Sequence, residues 1–274
     1  VGTYDVELTL DAFGRVLTAS RAIEYSGTPM IQSITTMQQM TTDICKTAAI
    51  GYTKNLRDTR GMGNGGSDTI STYGIIKAKD SNCWMTDNLN LYNKTVTSSD
   101  TDFSYGGVTI PNSSTSDWDT SIPELRVYRG SLNQVYYNWC ISVSSLSTCS
   151  SLGSASGNMN QSICPKNWKL PWYDDYWSLI DKYGLTSGAQ LVSAAGKGYA
   201  LGFHNYYGVF NWYEKQEKFV GSSTRMWTAT YKNFSTTTGV NNHPYALLFT
   251  ENIIDASDYN GDYKMGYPIR CLAR

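Results

Sequence analysis

Residues 162–184 read SICPKNWKLPWYDDYWSLIDKYG, and this stretch decides the class of fold. Its second half, residues 173–183, carries the signals of a helix. Asp174 and Asp175 would lie in the first turn, where acidic side chains suit the positive end of the helix dipole. Gly184 follows as a natural stop, because glycine readily adopts a left-handed backbone. The residues expected to face the core are Trp177, Ile180 and Tyr183.

A second helix is predicted over residues 30–46, where residues of one helix face recur at helical spacing. Most of the remaining chain alternates short, aromatic-rich strands with turns. Two helices combined with many short strands predict the α+β class. The predicted loops and surface excursions are a glycine-rich turn (GMGNGG, residues 61–66), residues 93–121 and residues 142–162. The residues on one face of the helix predicted over residues 30–46 are Met30, Ile34, Met37, Thr41, Ile44 and Ala48.

The first segment of the chain has its clearest strand pattern. Tyr4, Val6, Leu8 and Leu10 alternate strictly with polar residues, so one face of the strand would be apolar and the other hydrated. Two interpretations are open: the segment is the first strand of its own domain, or it is a donor strand that inserts into the open sheet edge of a neighbouring subunit. We therefore divide the chain into a strand segment, residues 1–28, and a main domain, residues 29–274.

The charge of the chain argues against a nucleic-acid partner. Lys+Arg is 22 and Asp+Glu is 23, charged residues make up only 16% of the chain, and no basic stripe is present. The chain begins with Val1 and contains no apolar run long enough to span a bilayer. We therefore expect a processed, secreted protein. Its 21 Tyr and 8 Trp fit either a binding surface or an aromatic core.

The six cysteines predict disulfides rather than a metal site. None forms a CxxC pair, and the two histidines, His204 and His243, lack ligand-like spacing. Scattered cysteines in a Ser/Thr-rich chain are typical of an oxidising compartment. Of the ~15 pairings that six cysteines allow, we expect Cys45–Cys83, Cys140–Cys149 and Cys164–Cys271.

Four motifs, in this order, resemble the Fibrobacter succinogenes major paralogous domain family. They are NCWMTDNL at residues 82–89, SICPKNWKLP at 162–171, WTAT at 227–230 and IRC at 269–271, and the resemblance covers about residues 30–274. Asn167 stands where family members usually have Gly, and Trp172 where they have Thr-type residues. The resemblance implies a C-type-lectin-like fold, similar also to formylglycine-generating enzymes, and a secreted protein at the cell surface. It implies no catalytic activity.

The same motifs also suggest a formylglycine-generating oxidase as an alternative. Such enzymes use a pair of nearby reactive cysteines, whereas only Cys271 lies in the corresponding stretch of this chain and we expect it in a disulfide. No catalytic residue is therefore assigned.

Two sets of residues are candidates for ligand binding. A calcium candidate lies before the last strand, where carboxylate and amide oxygens crowd one turn, although their order does not match an EF-hand. No other cofactor is expected. Aromatic side chains are candidates for contact with a sugar. The calcium set is Asp255, Asp258, Asn260 and Asp262, and the aromatic set is Trp172, Trp212 and Tyr213.

These observations predict a non-catalytic, extracellular bacterial surface protein. We expect a pilus-like filament or adhesin subunit that forms a homopolymer through its N-terminal strand. The alternative is a monomeric, lectin-like adhesion module that binds a glycan or protein on a host or neighbouring cell.

Overall fold

The computed structural model describes residues 5–10, 15–20, 30–60, 71–91, 95–96, 108–109, 127–132, 134–143, 157–211, 213–214, 216–236, 239–258 and 265–274. The predicted glycine-rich turn at 61–66 lies outside these residues, as do most of the predicted excursions at 93–121 and 142–162.

The described residues form short helices and mostly antiparallel strands, which confirms the α+β class. The helices are α1 (Thr42–Lys46), α2 (Trp139–Ser142), α3 (Tyr173–Tyr183) and α4 (Ala189–Val192), with 3-10 turns at Met37–Gln39 and Tyr199–Leu201. The strands are β1 (Asp5–Leu10), β2 (Arg15–Ser20), β3 (Thr53–Arg57), β4 (Thr72–Lys77), β5 (Cys83–Met85), β6 (Thr95–Val96), β7 (Val108–Thr109), β8 (Val127–Arg129), β9 (Val135–Tyr137), β10 (Gly157–Asn158), β11 (Trp168–Lys169), β12 (Val209–Asn211), β13 (Gln216–Lys218), β14 (Ser223–Thr236), β15 (Gly239–Thr250), β16 (Ile254–Asp258) and β17 (Leu272–Ala273).

Two sheets organise the body of the protein. The larger has five strands in the order β11-β17-β5-β4-β3, and the other has four in the order β10-β14-β15-β16. Because β17 pairs with both β11 and β5, the last described strand lies inside the larger sheet rather than at its edge.

Helix α3 matches its predicted bounds and packs in a core cluster with residues of both sheets. Tyr176, Leu179, Ile180 and Tyr183 are buried along its inner face. The prediction that Trp177 faces inward is wrong: 39% of its surface is exposed, because the inward stripe runs through positions 176, 179, 180 and 183 instead. The helix ends at Gly184, whose positive φ of 59° is the left-handed cap expected of glycine.

The predicted long helix over residues 30–46 is wrong. The segment instead contains a 3-10 turn followed by the one-turn helix α1. Distant side chains explain the break: the Trp168 indole donates to the Met37 carbonyl oxygen (2.8 Å), and the Asn167 amide donates to the Gln38 oxygen (2.7 Å). Thr41 then starts a new helix, since its hydroxyl accepts a hydrogen bond from the Ile44 amide (3.2 Å).

Burial along this segment nevertheless follows the predicted apolar face for most residues. Ile34, Met37, Ile44 and Ala48 are buried, whereas Met30 is 49% exposed. The hydrophobic pattern therefore identified the residues of the core but not the backbone that carries them.

Four fully buried tryptophans form the centre of the protein, and each indole N–H has a hydrogen-bond partner, as burial of a polar group requires. Three of them belong to the motifs that carry the family resemblance, which are therefore parts of the core. The acceptors are the Asp80 carboxylate for Trp84, the Thr228 oxygen for Trp139, the Met37 oxygen for Trp168 and the Tyr137 oxygen for Trp227.

Two disulfides connect other segments of the chain to the larger sheet and the residue before its strand β17. Cys45 of α1 is bonded to Cys83 of β5, and Cys164 is bonded to Cys271, which precedes β17. Both pairings confirm the prediction. Cys140 is also disulfide-bonded, while its predicted partner Cys149 lies outside the described residues. Closing a loop of about a hundred residues stabilises the fold by up to ~4.7 kcal/mol in the chain-entropy model.

Asn167 shows why a glycine would suit its position. Its φ is 70°, in the left-handed region that glycine adopts freely and that asparagine tolerates better than most residues. The asparagine also makes a hydrogen bond that a glycine lacks, through its side chain to the Gln38 oxygen. Within the described part of the chain, no helix is long and apolar enough to cross a membrane.

Candidate functional site

The predicted donor strand is β1, and it forms an antiparallel hairpin with β2. The register pairs Val6 with Ala19, Leu8 with Leu17 and Leu10 with Arg15. The apolar positions of the two segments are thus largely matched across the hairpin. Tyr4, the first residue of the predicted donor set, lies outside the described residues.

Among the described strands, β1 and β2 pair only with each other. A two-stranded hairpin in water is marginally stable at best, because it buries too little apolar surface to offset its conformational entropy. Its outer backbone N–H and C=O groups also form an edge that can template a further strand. The hairpin therefore has the hydrogen-bonding capacity that an assembly contact needs.

A second candidate is a cleft of about 460 Å³ on the main domain, a volume within the ~300–1,000 Å³ range of small-molecule sites. Several separate segments contribute to it, including α1, β11, the beginning of α3 and β17. The residues that line the cleft are Thr42, Asn82, Met159, Asn160, Lys169, Trp172, Asp175, Leu272, Ala273 and Arg274.

Trp172, one of the predicted contact aromatics, is held in this cleft by three interactions. Its backbone N–H donates to the Asp175 carboxylate (2.7 Å), and its indole N–H donates to the Met159 oxygen (3.3 Å). The Lys169 ammonium lies 3.9 Å from the ring centroid, a cation–π contact. The same ammonium forms an ion pair with Asp175 at 2.6 Å. The half-buried indole is thereby fixed in orientation.

The rim of the cleft carries polar side chains that are not engaged elsewhere. The Thr42 hydroxyl and the Asn160 amide make no hydrogen bond to any residue that the structure describes. The Asn160 backbone oxygen accepts a hydrogen bond from the Arg274 guanidinium, which also lines the cleft. The two free side chains each offer both a donor and an acceptor.

The other predicted aromatics do not join Trp172 among the lining residues. Tyr213 is 63% exposed, in the turn between β12 and β13. Trp212, its neighbour in sequence, lies outside the described residues.

The predicted calcium set is only partly described. Asp258 is buried and forms an ion pair with Arg225, and Asp255 accepts hydrogen bonds from the Ser257 backbone and hydroxyl (2.8 and 2.7 Å). Both carboxylates thus have partners within the protein. Asn260 and Asp262 lie outside the described residues. Within the described ranges, no group of three or more His, Cys, Asp or Glu side chains is placed to hold a metal.

A buried arginine connects two of the motifs. Arg270 of the IRC motif is fully buried, and its Nε and Nη2 donate to the Asn88 side-chain oxygen at 3.1 and 2.8 Å. Further bonds reach the Leu201 and Gly202 carbonyl oxygens (2.6 and 3.2 Å). Burial lowers the pKa of Arg270, although Tyr207, Tyr176 and Asp87 act in the opposite direction. Arg270 therefore links the segment of Asn88 to the segment of Leu201 and Gly202 through buried hydrogen bonds.

A second buried arginine is paired with a carboxylate. Arg60 donates to Asp58 through Nε (3.0 and 2.9 Å) and Nη2 (2.7 Å), and both side chains are fully buried. Arg60 also donates to the Ile163 oxygen (2.5 Å), which ties this pair to the segment that contains Cys164. Burial alone would raise the pKa of Asp58, but the Arg60 charge and hydrogen bonds from Arg60 and Gln38 outweigh it, so the pKa lies below its ordinary value.

Comparison of the chain with protein-family models, with curated proteins and with solved structures found no match. The resemblance to the Fibrobacter succinogenes major paralogous domain family therefore rests on the four motifs themselves.

The sequence gives Trp172 as a candidate contact residue, and the structure places it in the cleft, but the residues that position it were not predicted. Lys169 lies three residues before Trp172, and Asp175 lies three residues after it. Their ion pair forms when β11 and the first turn of α3 bring the two side chains together. Asn160, Thr42 and Arg274 come from distant segments, and no local sequence pattern marks them.

Proposed function

We propose that this protein is a non-catalytic, extracellular bacterial surface protein, a pilus-like filament or adhesin subunit joined by its N-terminal strand. The observation that carries the proposal is the β1–β2 hairpin, which pairs with no other described strand. In the assembly, the open edge of β1 pairs with a sheet edge of a neighbouring copy, which completes the hydrogen bonds of that edge.

Repetition of this contact produces a filament. The donating surface and the accepting surface differ, so the contact is heterologous, and such contacts give open chains when the rotation between copies does not close a ring. Pairing with a third strand would also give the hairpin the stability that two strands alone lack.

The disulfides support an extracellular location. Cys45–Cys83 and Cys164–Cys271 require an oxidising compartment to form and persist. The second of these bonds also occupies Cys271, the cysteine that a formylglycine-generating oxidase would need as a reactive thiol. The motifs support a C-type-lectin-like main domain, because their three tryptophans, Arg270 and their three disulfide cysteines pack in the core.

Matched variants of β1 test the assembly. Leu8→Asp places a charge at an apolar position of the strand pattern, whereas Thr9→Asp places the same charge at a polar position. We expect the unaltered chain and Thr9→Asp to form filaments in negative-stain electron microscopy and to sediment as large species. Leu8→Asp should remain monomeric, because a carboxylate buried at the contact lacks a partner.

Circular dichroism shows whether both variants fold. Monomers of the unaltered chain across the micromolar to millimolar range would contradict the proposal. Equal assembly of the Leu8→Asp and Thr9→Asp variants would contradict the role of β1. Monomers throughout would favour the alternative, a monomeric adhesion module.

A further inference from the structure

The cleft around Trp172 lies on the main domain, apart from the residues of β1, and the assembly proposal does not use it. Its lining combines an indole and a thioether, from Trp172 and Met159, with neutral polar groups from Thr42 and Asn160. One aromatic surface bordered by a few polar side chains is the usual composition of a small-molecule site.

Contacts within the protein already fix the orientation of the Trp172 indole. Trp172 is fixed through its backbone N–H, its indole N–H and its ring face, by Asp175, Met159 and Lys169 respectively. A ligand that contacts a fixed side chain does not have to immobilise it, so less conformational entropy is lost on binding.

Three charged side chains line the cleft, and none of them lacks a partner: Lys169 and Asp175 pair with each other, and Arg274 donates to the Asn160 backbone oxygen. The Lys169 ammonium is neutralised by Asp175 at 2.6 Å, and only 18% of each side chain is exposed. Neither of these two charges is therefore available to pair with an ionic group of a ligand. The amide of Asn160 and the hydroxyl of Thr42 both donate and accept hydrogen bonds, which suits a ligand whose own groups do both.

We propose that this cleft binds a neutral sugar, a hexose or N-acetylhexosamine unit of a surface glycan. A pyranose ring presents an apolar C–H face that packs against the indole of Trp172, and a ring of hydroxyls that bond to Asn160 and Thr42. The ion pair between Lys169 and Asp175 keeps the indole in place through the contacts of both side chains with Trp172.

The test uses the full chain on an array of defined neutral and acidic oligosaccharides, followed by calorimetry with the neutral oligosaccharide that binds best. Trp172→Ala should weaken binding roughly tenfold or more, as loss of a central aromatic contact does. Asn160→Ala removes an exposed side chain, so a weakening of several-fold in that variant reports on the cleft without disturbing the fold.

The matched control is Trp177→Ala, which removes a tryptophan that is 39% exposed on α3 and does not line the cleft. It should bind within about twofold of the unaltered protein. Three results would overturn the proposal: no binding to any neutral glycan, equal loss in the Trp172 and Trp177 variants, or binding to acidic glycans alone. Because the array reports binding by monomers and filaments alike, failure here leaves the assembly proposal standing.

Discussion

The buried ion pair between Asp58 and Arg60 gives the sharpest prediction about stability. Both side chains are fully buried, and Asp58 accepts the Nε and Nη2 hydrogen bonds of Arg60 at 2.7–3.0 Å. Asp58→Ala would leave the guanidinium buried with only the Ile163 oxygen and no countercharge. Removing one partner of a buried pair destabilises a protein by about 3–5 kcal/mol, because the remaining charge stays desolvated.

A loss of this size is a large fraction of the total stability of a domain, which is typically ~5–15 kcal/mol. For a chain of this size, each kcal/mol shifts the melting temperature by roughly 2–4 °C. We therefore expect Asp58→Ala to lower the melting temperature by roughly 6–20 °C, measured by circular dichroism at pH 7 under non-reducing conditions.

Asp43→Ala is the matched control, since Asp43 pairs with Lys46 at 2.9 Å on the surface, with side chains that are 72% and 66% exposed. Its loss should shift the melting temperature by no more than about 3 °C, because solvent screens exposed pairs. The double variant Asp58→Leu/Arg60→Met should recover at least half of the loss, since it removes the stranded charge as well. A decrease for Asp58→Ala as small as that for Asp43→Ala would refute the reasoning.

Three further predictions concern stability at low pH and the strain or crowding of the backbone. Because the pKa of Asp58 is lowered in the folded protein, its ionised carboxylate stabilises the fold at pH values above its unfolded pKa of ~3.9. This contribution is lost as pH falls through the pKa of the folded state. Asp58→Asn removes this titration, so the urea midpoint should decline less steeply below about pH 4. Gly202→Ala should destabilise the protein far more than Gly221→Ala: both glycines have a φ near 80° (79° and 81°), but an added Cβ lies 2.0 Å from the Thr86 oxygen at position 202 and meets nothing within 4 Å at 221. Asn167→Ala should lower stability by about 1–2 kcal/mol in denaturant titrations, whereas Asn167→Gly should lower it less, since glycine relieves the backbone strain at φ 70°.

Each of these predictions has a result that would contradict it. Parallel pH profiles for Asp58→Asn and the unaltered protein would mean that this carboxylate does not govern acid stability. Equal melting temperatures for the two glycine variants would contradict the close approach at Gly202. An alanine variant of Asn167 at least as stable as the glycine variant would mean that its conformation carries no strain.

The parts of the fold that the sequence predicts are those with local causes. Helix α3 has acidic residues in its first turn, an apolar stripe and a terminal glycine, all within residues 173–184, and it was predicted at its observed bounds. The pairings Cys45–Cys83 and Cys164–Cys271 were also predicted, and Cys149 of the third predicted pair lies outside the described residues.

The parts that were missed depend on contacts between distant residues. The helix predicted over residues 30–46 is interrupted because Trp168 and Asn167, more than a hundred residues away, bond to the carbonyl oxygens of Met37 and Gln38. The cleft was missed for the same reason, since it forms only when separate segments meet around Trp172. A lone aromatic in the sequence indicates neither its exposure nor its neighbours.

Amide hydrogen exchange of residues 5–10 tests the central claim, donation of β1 to a neighbouring copy, most directly. Pairing with β2 protects only alternate amides of β1, because in an antiparallel pair the remaining N–H groups point towards the open edge. We predict that these outward amides exchange at least roughly tenfold more slowly in concentrated, assembled protein than in dilute protein, while those facing β2 change little. Unchanged exchange of the outward amides in assembled protein would contradict strand donation.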